Sequence, residues 1–159
     1  MNILITLYST SWGGAEESII SLAEEISKND HKVILLWVSN YSLPKPITTQ
    51  TGVKIVYLHL IPEIYKIFSG LIVISLCLSN QIKIVNLNWR FVKEEGYFLK
   101  FARIKSVATL RAILFDRTNS DEYKNTDAII GVSKAVVRQI IKLGYRKPCY
   151  TIYNGISIE

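Results

Sequence analysis

The sequence predicts an α/β fold in which helices cover both faces of a doubly wound parallel sheet. Short apolar runs, typical of strands buried on both sides, alternate along the whole chain with longer stretches in which apolar residues recur at helical spacing. Strands that alternate with helices form parallel sheets through right-handed crossovers. Neither an internal repeat nor an interior linker divides the 159 residues, so a single domain covering 1–159 is expected.

The first half of the chain predicts three strands and two helices. The run NILITLY at 2–8 is almost wholly apolar and predicts the first strand. From Ala15 to Ile26 the main apolar residues recur at helical spacing, which predicts a helix whose other side carries the polar residues Glu17, Ser21, Glu24 and Lys28. Two buried strands follow, at 32–39 and 53–58, and a proline-bearing loop joins them. A mostly apolar helix is predicted at 63–79.

The second half of the chain continues the same alternation. Two helix-like stretches, 91–102 and 133–143, lie between strands, and Ser133 stands where a helix N-cap residue belongs. The last strand leads into Asn154 and Gly155, a typical turn pair. The predicted strands of this half are 82–88, 105–111, 127–132 and 149–154.

The composition predicts a compact protein of a reducing, cytoplasmic compartment. Hydrophobic residues make up 49% and charged residues 20%, which excludes a disordered chain. Cys77 and Cys149 are far apart, and neither has a cysteine or histidine at metal-ligand spacing, so two buried thiols and no metal are expected. The N-terminus lacks the features of a signal peptide, and the uncharged run 67–79 is shorter than the ~20 residues of a spanning helix.

The net charge of +6 is unevenly distributed along the chain. Residues 1–31 hold five acidic residues against Lys28, so the rest of the chain carries the basic excess. Such an excess suits a phosphorylated substrate, an anionic lipid or a nucleic acid, although the solvated faces of amphipathic helices explain it as well. A nucleic acid is disfavoured because the sequence has no helix-turn-helix, RNP-like or zinc-finger signature.

Two adjacent glycines, Gly13 and Gly14, lie between the first strand and the first helix. In a doubly wound sheet this loop borders the crevice where ligands bind. Glycines there can adopt a positive φ and let a ligand approach the N–H groups at the helix start, which suit a phosphate or a carboxylate. A tight turn explains the pair equally well, and the departure from GxGxxG disfavours NAD.

Both ends of the chain resemble the family 4 glycosyltransferases of GT-B architecture. The first strand, the Ser-rich loop, GGAE at 13–16, the helix and HKVILLWVS at 31–39 resemble the start of that family. The segments at 126–144 and 149–159 resemble its last strands before the second domain, and the likeness is weaker between 40 and 110. The resemblance implies a Rossmann-like N-terminal, acceptor-side domain, one half of a GT-B fold, with the C-terminal donor-binding domain absent from 1–159.

This resemblance implies an enzyme half. The implied reaction is retaining transfer of a sugar from a nucleotide-sugar to an acceptor hydroxyl, with no metal or other cofactor, and it needs the donor-binding domain or a partner subunit. The basic excess indicates a lipid-linked or phosphorylated acceptor at the inner face of the membrane, with the apolar region 61–79 in contact, although core packing explains that region equally well. The alternative function is a non-catalytic module that binds a sugar or an anionic lipid head group.

The resemblance also implies roles for residues around the first helix. Carried over by position, Gly13 and Gly14 would line the cleft and approach the diphosphate or the transferred sugar of the donor. Glu16 matches the acidic residue of the GGAE motif, although a glutamate in the first turn also complements the helix dipole. No side chain is identified as a catalytic nucleophile or base.

Further candidate residues follow the fourth and fifth strands. Asn88, Trp89 and Arg90 stand at a strand end that faces the crevice. An indole stacks on a sugar face and a guanidinium binds phosphate with two hydrogen bonds, which indicates acceptor binding, although a core Trp and a surface Arg remain open as an explanation. Arg111 ends the next strand, where the family often has a histidine.

Overall fold

The computed structural model of the chain describes residues 1–40, 51–88, 91–112 and 120–155. These residues form seven strands, four α-helices and a short 3₁₀ helix at Ser120–Glu122. The strands are β1 (Asn2–Ser9), β2 (Lys32–Ser39), β3 (Lys54–His59), β4 (Ile84–Asn88), β5 (Lys105–Leu110), β6 (Ala128–Gly131) and β7 (Cys149–Thr151). The helices are α1 (Gly14–Lys28), α2 (Pro62–Ser79), α3 (Val92–Phe101) and α4 (Lys134–Lys142).

All seven strands are parallel and form one sheet in the order β3-β2-β1-β4-β5-β6-β7. The chain starts in the middle of the sheet, runs outward to β3, returns to β4 beside β1 and runs outward again. The strand order therefore reverses between β1 and β4, and Leu7 of β1 is in register with both Trp37 of β2 and Asn88 of β4. The predicted doubly wound, Rossmann-like α/β fold is confirmed.

The two faces of the sheet carry different helices because successive strand side chains point to opposite sides. On one side, apolar residues of β1 and β2 pack beneath Ile19 and Ala23 of α1. On the other side, the alternate residues of the strands pack beneath α2, α3 and α4, which contribute Tyr65, Leu99 and Ile140 to a larger core. Ser133 caps α4 as predicted, since its Oγ accepts a hydrogen bond from the N–H of Val136 at 3.3 Å.

Half of the α1 side of the sheet is uncovered in the described residues. Several of the alternate residues of β4 to β6 that face α1's side are only half-buried, among them Ile84, Val107 and Ile130, whereas Asn88 and Thr109 on that side are buried. Tyr150 and Ile152 at β7 are each 56% exposed. Parallel sheets are ordinarily covered on both faces. Because this half is uncovered, it forms one wall of an open groove beside α1.

The expectation of two buried thiols is wrong for one of the cysteines. Cys77 of α2 is buried in the larger core, whereas Cys149 is only half-buried. The reason is its position, because Cys149 begins β7, the last strand in the described sheet, where one side of the strand has no neighbour among the described residues.

A buried carboxyl group joins β1, α2 and α3. Glu95 of α3 is 1% exposed, and it accepts hydrogen bonds from the Tyr65 hydroxyl at 2.7 Å and the Thr6 hydroxyl at 3.1 Å. Burial raises the pKa of Glu95 to about 8, because the two hydrogen bonds offset only part of the loss of solvation. The carboxyl group is therefore mostly protonated at neutral pH.

This buried group predicts that the domain becomes less stable as the pH rises. Below pH 4.5, the ordinary pKa of the group, Glu95 is protonated whether the chain is folded or unfolded. Between pH 4.5 and about 8 only the unfolded chain loses the proton, so the free energy of unfolding falls by up to about 1.4 kcal/mol for each pH unit. The stability that protonated Glu95 contributes is fully present below the pKa of this group in the unfolded chain. It is lost as the pH rises through the pKa of Glu95 in the folded chain.

Glu95→Gln is expected to remove this pH dependence, because a neutral amide of the same shape keeps an acceptor for Tyr65. The measurement is urea unfolding of both proteins at about pH 5, 6.5 and 8. The variant should gain stability relative to the original chain as the pH rises. A constant difference across the three values would show that Glu95 has an ordinary pKa in the folded state.

Candidate functional site

The candidate site lies at the carboxyl edge of the sheet, the edge at which the parallel strands end. Here β1 ends at Ser9 and is followed by the loop to α1, and β4 ends at Asn88 on the neighbouring strand. This is the point where the strand order reverses, and open α/β sheets bind ligands there. Trp89 and Arg90, predicted as acceptor-binding residues, lie outside the described residues.

Gly13 and Gly14 start α1 without using the positive φ that glycine permits. Gly13 is the N-cap residue with a φ of −168°, an extended conformation that any residue adopts, because the chain enters the helix directly from extended backbone. Gly13 has no side chain to cap the helix, and a Cβ placed on it would lie 3.5 Å from Glu16 Oε2. A Cβ on Gly14 would have no atom within 4 Å. The fold alone therefore does not require glycine at position 14, and the space above it is open to a ligand.

Glu16 folds back from the first turn of α1 toward the end of β1. Its Oε1 accepts a hydrogen bond from the Ser9 hydroxyl at 2.7 Å, and Ser9 is almost fully buried. This contact fixes the carboxylate between the strand end and the helix N-terminus, where a negative charge is stabilised by the helix dipole. The geometry is compatible with both interpretations of Glu16, as a ligand contact and as a first-turn acid.

The loop before the glycines is held by two stacked indole rings. Trp12, 40% exposed, stacks on the fully buried Trp37 of β2 with ring centroids 5.6 Å apart and planes 14° apart. Trp12 Nε1 also donates a hydrogen bond to Glu17 Oε1 at 3.2 Å. The stack positions the segment that leads into Gly13.

Arg111 connects α1 with the segment after β7. Its Nη1 donates to Ser18 Oγ at 2.7 Å and to Asn154 Oδ1 at 3.4 Å, and its Nε is buried without a hydrogen-bond partner. Burial lowers the pKa of Arg111, and the nearby Glu16 carboxylate acts in the opposite direction. An arginine stays protonated at physiological pH, so within the described part of the site Arg111 is a fixed cation near the Glu16 carboxylate.

Asn88 begins a row of polar side chains on the α1 side of the sheet. Its Nδ2 approaches Asn86 O and Oδ1 at 3.4 and 3.3 Å, and Thr109 Oγ1 donates to Asn86 Oδ1 at 2.8 Å. Asn88 is 2% exposed, yet its Oδ1 has no hydrogen-bond partner. A buried acceptor without a donor is unfavourable, and a ligand hydroxyl would satisfy it.

Arg111, Asn86 and Thr109 line one continuous groove of about 630 Å³ between α1 and the uncovered half of the sheet. We call it the α1 groove. Its polar lining includes residues that sequence reasoning missed or assigned only to a turn: Ser18, Ser21, Asn86, Thr109 and Asn154. A signal for one of them was present, since Asn86 alternates with the predicted Asn88 in an otherwise apolar strand, so the two share one face.

The chemistry of the site is that of binding by hydrogen bonds and charge. An uncapped helix N-terminus, a guanidinium group and amide side chains suit a ligand with phosphate or hydroxyl groups. Among the residues that the structure describes, no three His, Cys, Asp or Glu side chains are grouped closely enough to hold a metal ion.

A family model decides what kind of domain this is. The model described as Glycosyltransferase Family 4 matches residues 12–159, nearly the whole chain. The chain belongs to glycosyltransferase family 4. A search of curated protein sequences found no significant match.

Solved structures share the fold of this family 4 domain at low sequence identity. A glycosyltransferase from Rickettsia africae matches 98% of the chain with 15% identity and a TM-score of 0.75. Anabaena HepE, solved with UDP and glucose, matches 98% with 19% identity and a TM-score of 0.67, and a UDP-GlcNAc 2-epimerase from Methanocaldococcus jannaschii matches 97% with 13% identity and a TM-score of 0.63.

The family 4 domain spans less than half the length of these three structures, which it covers to 43%, 45% and 46%. The fold is that of one half of a GT-B glycosyltransferase. Since an epimerase shares it as well, the fold by itself does not identify the reaction, and the family model shows the family.

Proposed function

We propose that this family 4 domain is the acceptor-side half of an enzyme that transfers a sugar from a nucleotide-sugar to an acceptor hydroxyl. The observation that carries the proposal is the open space above Gly14 at the uncapped N-terminus of α1, at the point where the strand order reverses. Family membership supports the reaction class. The nearby buried, unpartnered oxygen of Asn88 supports a ligand with hydroxyl groups.

The residues of the site take different roles in this proposal. The N–H groups beside Gly13 and Gly14 approach the diphosphate or the transferred sugar of the donor, because neither residue has a side chain and the space above Gly14 is open. Glu16 and Arg111 form the charged wall beside it, and Asn88 Oδ1 accepts a hydrogen bond from an acceptor hydroxyl.

The proposed enzyme needs a second half that binds the nucleotide. The matched structures are more than twice as long as this domain, which supports a donor-binding half in the same polypeptide or in a separate subunit. The nucleotide-sugar is then the co-substrate, no metal is required, the anomeric configuration is retained and the enzyme works in the cytoplasm. The acceptor is sugar-containing or lipid-linked.

The test is a transfer assay over a panel of nucleotide-sugars and acceptors. It is run on this chain alone and on the chain with its donor-binding half, either expressed as one polypeptide or recovered by co-purification. Transfer only in the second arm is expected, and NMR of the anomeric proton of the product then tests retention. Inactivity in both arms, together with saturable binding of a sugar or a lipid head group by the folded chain, would instead support the non-catalytic module.

Arg111→Ala is expected to raise the KM for the acceptor about tenfold, since it removes a charged hydrogen-bond donor from the wall of the site. The value of kcat should change less. Arg138→Ala is the matched control, because Arg138 is exposed on α4, on the opposite face of the sheet. Thermal unfolding of both variants separates binding from folding, and an unchanged KM in Arg111→Ala would remove Arg111 from the site.

A further inference from the structure

Helix α2 is apolar on its outer side as well as on its buried side. The outer residues Ile64, Ile67, Phe68, Leu71 and Leu78 are between 43% and 70% exposed. Their spacing places them along one line, here called the outer stripe, about 21 Å long at 1.5 Å per residue. A surface helix ordinarily has a polar outer face, so the outer stripe is not explained by the packing of this domain.

The other side of α2 is fixed to the domain. Tyr65 of α2 is held by the buried Glu95 of α3, and Gly70 lies directly against the ring of Phe98. Among the described residues α2 is the one helix long and apolar enough to cross a membrane, yet 28% of it is buried inside the domain. Because one side is part of the core, the folded domain can present α2 to a bilayer surface but cannot insert it across one.

The apolar surface extends from α2 onto the edge of the sheet. A cleft of about 550 Å³ separates the helix from β3 and is lined almost entirely by aliphatic side chains, with Ser75 as its one polar residue. Val56, Leu58 and Leu60 form its sheet side. A contiguous apolar surface of this kind marks a site of interaction with a protein or a membrane.

The neighbouring helix α3 flanks the outer stripe with cations and aromatic rings. It is packed against α2, as the contact between Lys66 Nζ and Glu94 Oε1 at 3.9 Å shows. Its exposed residues, including the turn that follows it, are Lys93, Tyr97, Lys100, Phe101 and Arg103. Aliphatic and aromatic groups bordered by lysine and arginine are typical of helices that lie in the head-group region of an anionic membrane.

The charge of the whole domain is polarised in the same sense. The acidic residues of the first thirty-one positions lie mainly on α1, whose described residues include Glu16, Glu17, Glu24 and Glu25. Helix α1 covers the opposite face of the sheet from α2 and α3. On α2 and α3, Glu63 and Glu94 stand against the cations Lys66, Lys93, Lys100 and, in the following turn, Arg103, so this side keeps a net positive charge. An anionic surface therefore attracts the α2–α3 side and repels the α1 side, which orients the domain.

We propose that the outer stripe of α2 and the exposed residues of α3, together the α2–α3 face, bind the surface of an anionic bilayer. A second copy of the chain fits this face less well, because a symmetric contact would place the α3 cations of both copies near each other. The first turns of α2 follow β3 at the carboxyl edge, so the face adjoins the edge that carries the candidate site.

Binding to a bilayer favours a lipid-linked molecule as the acceptor substrate. A bilayer against the α2–α3 face would present a lipid-linked acceptor at the edge of the sheet where the site lies. This step rests on the proposed transferase function, whereas binding to lipid does not. Vesicle binding and sugar transfer are measured separately, so failure of one is distinguishable from failure of the other.

The test is flotation of the full chain with vesicles of phosphatidylcholine alone or mixed with phosphatidylglycerol. Binding to the anionic vesicles is expected, and it should weaken as salt is added. The double variant Ile67→Gln, Leu71→Gln is expected to lose about tenfold or more in partitioning, because two apolar side chains are removed from the contact. Lys100→Gln and Arg103→Gln should each lose about fivefold at low salt.

The matched control is the double variant Tyr150→Gln, Ile152→Gln. These two apolar residues are equally accessible, at 56% each, but lie on the opposite side of the sheet. The control should float like the original chain, and circular dichroism checks that all variants are folded. The proposal is overturned if the original chain does not bind anionic vesicles at low salt, or if the α2 variant binds undiminished. The proposal would also be overturned if sedimentation equilibrium showed a dimer that the α2 substitutions dissociate. A second copy of the chain would then cover the α2–α3 face in place of a bilayer.

Discussion

Gly14→Val is expected to abolish sugar transfer by the complete enzyme while leaving the domain folded. A Cβ at position 14 would meet no protein atom within 4 Å beyond its chain neighbours and its own helix backbone, and the φ of Gly14 is not positive, so the fold should tolerate a side chain there. It does fill the open space above the N-terminus of α1, where the proposed donor groups approach the backbone N–H groups. Displacing a reacting group by about 1 Å can lower the rate a hundredfold, so a loss of at least that size is expected.

The control for this experiment is Gly52→Val. The nearest atom to a Cβ on Gly52 is Ser27 Oγ at 4.0 Å. Gly52 precedes β3 and so lies where the strands begin, at the other end of the sheet from the carboxyl edge. The control should retain full activity, and Gly14→Ala should fall between the two valine variants. The measurement is kcat/KM for donor and acceptor, with thermal unfolding in parallel. Full activity in Gly14→Val would mean that no ligand approaches the backbone there.

Gly70→Ala is expected to destabilise the domain by about 2–3 kcal/mol, the usual cost of overpacking a tight contact. In an exposed helix the same change stabilises by about 1 kcal/mol, so the expected sign is opposite to helix propensity. The reason is that a Cβ on Gly70 would overlap the ring of Phe98, where α2 and α3 are in close contact. The expected fall in Tm is about 4–12 °C.

A double-mutant cycle with Phe98→Ala tests this explanation. Removing the ring makes room for the methyl group that Gly70→Ala adds, so the two substitutions together should destabilise less than the sum of their separate effects. Chemical denaturation of the four proteins gives the coupling free energy. Additive effects would locate the cost of Gly70→Ala elsewhere than at Phe98.

The secondary structure could be predicted because the apolar runs are long and clearly bounded. All seven strands and four helices occur where hydrophobic periodicity placed them. The differences are at element ends, where tertiary hydrogen bonds decide. The strand predicted from residue 82 begins at Ile84, because the N–H of Ile82 instead bonds to the carbonyl of Cys77 at the end of α2.

The sequence does not predict a residue's burial or hydrogen-bond partners where these depend on the packing of distant elements. Glu95 stands in VKEEG beside a second glutamate and a lysine, which is typical of a solvated helix start. Only the packing of α3 against β1 and α2 buries it beneath Thr6 and Tyr65. The partners of Arg111 are likewise 93 and 43 positions away in the chain, so local spacing contains no trace of them.

The candidate site was predictable in location but not in its conformation. The loop between β1 and α1 does lie at the carboxyl edge of the sheet, as the alternation of strands and helices requires. Its glycines do not use the positive φ that glycine permits, because Gly13 enters α1 from an extended conformation that needs no left-handed residue. The role of Gly13 and Gly14 therefore stays a prediction that depends on a ligand.

The stack of Trp12 on Trp37 allows ligand binding in the crevice to be followed by circular dichroism. Two indoles with planes 14° apart and centroids 5.6 Å apart couple their electronic transitions, which gives a signature in near-ultraviolet circular dichroism. Trp12 lies two residues before Gly14, so a ligand that moves this loop changes the coupling, whereas one bound elsewhere does not. The chain thus carries its own chromophore pair for titrating nucleotide-sugars or acceptors without a label, and Trp12→Phe identifies the signal that belongs to it.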